Sequence, residues 1–173
     1  MYDIAKSIRR SPSKSPAATE FTYARGRSGK GLFPNVRQLN GDRNDQLDAL
    51  RDGQWDAVID NSGYVPRHVK LSAELLASRA AQYLFISSIS VYPDFKEPRG
   101  EDAQVGKLAD ESVEKVDGET YGPLKALCEQ AAQRAFAGRS CILRPGLIVG
   151  PDDNTDRFTY WPARAEIGRA SCR

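Results

Sequence analysis

The sequence predicts an α/β fold built on a parallel sheet, and three stretches carry that prediction. Two apolar strands, Trp55–Asp60 (WDAVID) and Tyr83–Ile86 (YLFI), flank a helix that opens at Pro66 and has apolar positions at Val69, Leu71, Leu75 and Leu76. A second helix, from Tyr121 to about Phe136, separates the Tyr83–Ile86 strand from a third apolar strand at Cys141–Leu143. Strand, helix, strand is the crossover that parallel neighbours require, because a tight hairpin joins only antiparallel ones.

The remaining elements follow in order. Residues 1–19 show no helical or strand period; the stretch is basic and serine-rich, and residues 1–30 carry seven Lys/Arg against two acids, net +5, leaving −3 for the rest. Such a start reads as a disordered segment, with a transit peptide or a nucleic-acid arm as alternatives. Phe21–Ala24 is a short strand ending in Arg25-Gly-Arg-Ser, and Val36–Leu39 another, ending in Gly41-Asp42-Arg43. Asn44 or Asp45 starts a short helix to about Arg51, with Asp42 as its cap. Asn61-Ser-Gly63 closes the WDAVID strand. The cluster Gly26-Arg-Ser-Gly-Lys-Gly fails the glycine spacing of a phosphate loop. Gly138 ends the second long helix.

Composition bounds the function. A chain of 173 residues, 40% hydrophobic and 28% charged, suits one soluble domain with a sizeable core. No run nears the roughly 18 apolar residues of a membrane span. The three cysteines, Cys128, Cys141 and Cys172, lack zinc spacing, and His68 is the only histidine. A metal site and a disulfide framework are therefore not expected, and a reducing cytoplasm fits. Aromatic residues do not interleave with the basic start, so nucleic acid is not an expected partner.

The chemistry concentrates in Glu119–Gln130 (ETYGPLKALCEQ). Tyr121 and Lys125, at i and i+4, leave one face of the helix, and Pro123 is accepted in its first turn. An ammonium beside a phenol favours the phenolate and lowers its pKa from about 10, which makes tyrosine a usable general base. Upstream, Tyr83–Tyr92 (YLFISSISVY) delivers Ser87 and Ser88 to the carboxyl edge of the sheet. Downstream, Cys141–Pro151 (CILRPGLIVGP) is a strand ending in Arg-Pro-Gly.

This order of strand, Ser, Tyr-x-x-x-Lys helix, strand and Arg-Pro-Gly resembles the extended short-chain dehydrogenase/reductases, the NAD-dependent epimerase/dehydratase family, over roughly residues 21–163. The resemblance implies a Rossmann-type doubly wound sheet and an oxidoreductase acting on a hydroxyl-bearing small molecule, such as a nucleotide sugar. It assigns Tyr121 as acid/base, Lys125 to depress its pKa and hold the ribose, and Ser88 to orient the substrate oxygen. NAD or NADP would meet Arg25, Asp42, Asn61, Ser62, Gly63, Tyr121, Lys125, Pro145 and Gly146. Arg25 and Arg27 lean toward the 2′-phosphate of NADP. A homodimer is implied for the full-length protein.

Two family features are missing. No Gly-x-x-Gly-x-x-Gly turn follows any strand before Asp42, so the sheet is expected to lack its first strand and its pyrophosphate seat. Residues 152–165 begin a substrate-binding part, and the closing EIGRASCR (166–173) carries no family feature. Residues 1–20 and 166–173 are accordingly expected to be non-native or disordered, and the chain to be an inactive fragment that binds NAD(P) poorly. The competing class is a non-catalytic RNA-binding or regulatory relative; the joint presence of Ser88, Tyr121 and Lys125 argues against it.

Overall fold

Alternating burial shows which side of each strand faces the core. Phe21, Tyr23, Val58, Asp60, Tyr83 and Phe85 are buried, while Thr22, Ile59, Leu84 and Ile86 between them are half-buried. The computed structural model describes residues 6–9, 20–27, 34–150 and 159–166. The strands are β1 (Lys6–Arg9), β2 (Glu20–Ala24), β3 (Arg37–Asn40), β4 (Trp55–Asp60), β5 (Ala80–Ile86) and β6 (Ser140–Leu143). The helices are α1 (Pro66–Leu76), α2 (Tyr121–Ala135) and α3 (Tyr160–Glu166).

One six-stranded sheet has the order β3-β2-β1-β4-β5-β6. The parallel pairs are β2 with β3, β4 with β5, and β5 with β6. α1 and α2 are the crossovers predicted from the apolar runs. β1 corrects the expectation of a sheet without its first strand. Lys6–Arg9 fills the middle position but runs antiparallel to both β2 and β4. Part of the segment expected to be disordered is thus in the sheet. The rest of both expected non-native ends, residues 1–5, 10–19 and 167–173, lies outside the described residues.

Among the described residues, α1, α2 and a 3₁₀ turn at Asp48–Leu50 all feed one core cluster with Val58, Tyr83 and Phe85, so these elements cover one face of the sheet. No described side chain of α3 is buried. The opposite face keeps a partly open apolar strip, with Leu143 45% exposed. The 3₁₀ turn also replaces the helix expected from residue 44 or 45. α2 supplies Leu124, Cys128 and Ala132 to the core and its C-terminal cap supplies Phe136, each fully buried, and each large apolar side chain stabilises by about 1.5–3 kcal/mol. Gly138, at φ +70, closes that end in the left-handed conformation glycine takes most readily.

Beneath the carboxyl edge lies a buried ionic network. The Asp60 carboxylate, fully buried, accepts 2.8 Å hydrogen bonds from Arg43 Nη1 and Nη2 and a 2.6 Å bond from the Tyr83 hydroxyl. Burial, reinforced by the adjacent carboxylate, pushes the Tyr83 phenol well above its ordinary pKa. Arg43 Nη1 also donates to Ser62 Oγ at 2.8 Å, which pins the Asn61-Ser-Gly63 turn.

Candidate functional site

The start of α2 is prepared by Asp117. Its Oδ1 accepts from the backbone N–H of Glu119 (3.1 Å) and Thr120 (3.0 Å), and its carbonyl accepts from Tyr121 N at 3.0 Å. The bonds to the carboxylate, that from Thr120 N–H foremost, with Lys115 beside it, hold the carboxyl down at about 2. An acid in this place also complements the positive end of the helix.

Glycine at position 122 then lets α2 approach the strand tip. A Cβ there would collide with the Ser90 carbonyl oxygen, so the helix rests directly on the turn after β5. In that turn Ser88 Oγ accepts from Ser90 N at 3.1 Å and donates to Ser90 Oγ at 3.1 Å. Ser88 is half-buried, whereas its neighbour Ser87 is buried with its hydroxyl unpartnered. Ser88, not Ser87, is therefore the serine a small molecule can reach. The loop after β6 docks on the same turn, with Ile89 N donating to Pro145 O at 3.0 Å and Gly146 facing Ile89. Arg144 of the Arg-Pro-Gly motif anchors that loop. It clamps Glu129 at 3.0 and 2.7 Å and gives its remaining fork nitrogen to the Tyr92 hydroxyl at 2.8 Å.

Lys125 departs from its expected role. Its ammonium is 3% exposed and donates to Ile86 O at 2.6 Å and Gly63 O at 2.8 Å, with the Phe85 ring 4.3 Å below it. No hydrogen bond joins it to Tyr121. Burial lowers its pKa to about 8. What the two residues share is Tyr64, whose ring lies 6.2 Å from that of Tyr121 and 5.5 Å from the ammonium. Helical spacing put both side chains on one face, but the backbone carbonyls at two strand ends outcompete the phenol for the ammonium.

That burial has a pH signature. An unfolded lysine titrates near 10.4, so between about pH 8 and 10.4 the unfolded chain binds more protons and stability rises with pH. Across the full window the contribution is about 3 kcal/mol. Lys125→Met is expected to flatten this rise in urea midpoints, and an unchanged pH profile would contradict the buried ammonium.

The remaining predicted residues divide. Arg25 is exposed and Asp42 half-buried at the carboxyl edge; burial is outweighed as Asn44 N–H, Asn44 Nδ2 and the nearby Arg25 and Arg27 charges lower the Asp42 carboxyl. Asn61 Oδ1 is buried without a partner. Ser62 is held by Arg43, and Gly63 is enforced by packing, because a Cβ would meet the Phe85 ring at 2.5 Å and Val69 at 2.6 Å. Ser62 and Gly63 thus each have a place in the fold that is independent of any cofactor. Among the described residues no group of three or more His, Cys, Asp or Glu could hold a metal. No described helix is long and apolar enough to cross a membrane.

No protein-family model and no curated protein matches this chain. The site is therefore read from its own geometry. Tyr121 lines a cleft of about 760 Å³ whose walls come from the turn after β5, the acidic loop before α2, and the first turn of α2. Ser88, Lys125, Pro145 and Gly146 do not line it. Sequence reasoning missed Gly122, Ser90, Tyr64 and Arg43. Of these, Gly122 had a signal, a glycine in a first helical turn where a better helix former would be ordinary.

Proposed function

We propose that this protein is an NAD(P)-dependent oxidoreductase of the epimerase/dehydratase kind, acting on a hydroxyl- or carbonyl-bearing small molecule. The observation that carries the reading is the contact of Gly122 with Ser90, which brings the Tyr121 phenol and the Ser88 turn to one edge of the sheet beside an open cleft. Tyr121 exchanges the proton of the reacting oxygen, and Ser88 can turn its hydroxyl from Ser90 toward that oxygen. Lys125, largely protonated at neutral pH, acts as a fixed cation behind the site rather than as a partner of the phenol.

The strand order is that of sheets that bind dinucleotides at their carboxyl edge, which supports a Rossmann-type reading. The residues fit such a cofactor at its ends. Arg25 and Asp42 suit the adenosine side, with a lean to NADP, and the unpartnered Asn61 Oδ1 and the Pro145–Gly146 loop lie further along the same edge. The middle fits less well. Because β1 is reversed, it places Lys6 at that edge, where a parallel first strand would place its carboxyl end and the start of a pyrophosphate seat. When bound, the nicotinamide would supply the hydride.

Fluorescence titration of this chain with NADPH is therefore expected to give millimolar affinity. Micromolar binding would show that the pyrophosphate has a seat after all. The deficit lies in the cofactor seat and not in the proton-transfer groups. At millimolar NADPH, in place of the inactivity the sequence led one to expect, slow reduction of small ketones is expected by loss of nicotinamide absorbance, and no consumption with any of a ketone panel would overturn the reading. With Cys128 and Cys141 both free, a reducing cytoplasm remains the compartment we favour.

A further inference from the structure

The cleft beside Tyr121 is built to a charge pattern that suits few phosphorylated molecules. Its charged lining residues are Lys107, Asp117 and Glu119, and no arginine lines it. The loop it borders, residues 94–119, holds nine acids against four bases, net −5. The two bases that do pair there are committed: Lys115 to Asp117 at 3.2 Å and Arg99 to Asp94 at 2.7 Å.

A helix start can bind phosphate through its unsatisfied N–H groups, but here most of those groups are taken. Glu119 and Thr120 donate to the Asp117 carboxylate, and Tyr121 to the Asp117 carbonyl. Pro123 has no N–H to give, and Leu124 N is bonded to Thr120 O. A fixed carboxylate therefore stands where an anion would enter. The apolar walls, by contrast, are open: Phe95 is 64% and Val116 43% exposed, with Pro93 and Pro123 alongside.

We infer that the cleft takes an uncharged small molecule with an apolar ring or chain, and rejects nucleoside diphosphates and other phosphate-bearing compounds. This rests on the reading of Tyr121 as the acid/base only in where the reacting oxygen points; the binding preference stands on the walls alone. Phe95 and Val116 cover the ring, while the acidic rim repels a dianion at a distance that salt screens only in part.

The test is an amide-resolved NMR titration of the 173-residue chain with acetophenone and, separately, with uridine diphosphate. The expected result is that acetophenone moves the Gly106, Lys107, Gly118 and Gly122 amides, with affinity at least about tenfold above that for the diphosphate. Glu119→Lys is expected to narrow that ratio several-fold, and Phe95→Ala to weaken acetophenone alone. Tighter diphosphate binding at these amides, or no response to acetophenone, would overturn the inference. Intact acetophenone binding by the parent chain together with an absence of NADPH-dependent reduction would sink the oxidoreductase reading and leave the binding preference standing.

Discussion

Tyr121→Phe is expected to lower ketone reduction at millimolar NADPH by about 100- to 10,000-fold, the range that a positioned general acid/base contributes. The substitution removes one hydroxyl and keeps the ring. The contact with Tyr64 at 6.2 Å and the wall of the cleft should therefore persist. Stability and NADPH affinity should stay within experimental error of the parent chain. Unchanged turnover would remove Tyr121 from the reaction. Ser88→Ala should cost less, since the serine orients the oxygen without carrying the proton.

The second large effect is on stability. Asp60→Asn preserves shape but leaves the Arg43 guanidinium, only 14% exposed, facing a neutral amide. Removing one partner of a buried, hydrogen-bonded ion pair costs about 3–5 kcal/mol, and urea denaturation should report a loss of that size. Adding Arg43→Met to Asp60→Asn should recover part of it, because the uncompensated charge is then gone. A loss below about 1 kcal/mol for the single variant would mean that the pair is not desolvated as the structure indicates.

Much of the fold was legible because apolar runs and proline positions act locally. WDAVID is a strand over the residues predicted, Pro66 and Tyr121 open their helices as predicted, and Gly138 closes the second. β1 was not legible. Lys6–Arg9 has no apolar period, and its place is set by unpaired edges of β2 and β4 that no local pattern reveals. The ionic network left a trace that could have been read. By strand alternation Asp60 shares a face with Val58, and a buried acid in an apolar strand demands a cation.

The site was legible as residue types and less so as contacts. Spacing placed Tyr121 and Lys125 on one helical face, yet the ammonium went to Gly63 and Ile86, because carbonyls at two strand ends converge there. Ser62 and Gly63 looked like a cofactor turn, and their side-chain space is taken by Arg43 and Phe85. His68 lies 2.7 Å from the Asn44 side-chain oxygen, a contact fixed only once α1 meets the loop after β3.

The reversed strand has a mechanical meaning. Among the described residues β1 is the only ladder between the β2–β3 pair and the β4–β5–β6 trio, so the continuity of the sheet there passes through four residues. The Phe21–Trp55 edge contact, 5.0 Å between ring centres, is a side-chain tie across the same seam. The edge holding Arg25 and Asp42 and the edge holding Ser88 and Tyr121 therefore meet at one seam, which the Arg43–Asp60 ion pair at 2.8 Å also crosses, and a molecule spanning both would act as a further clasp.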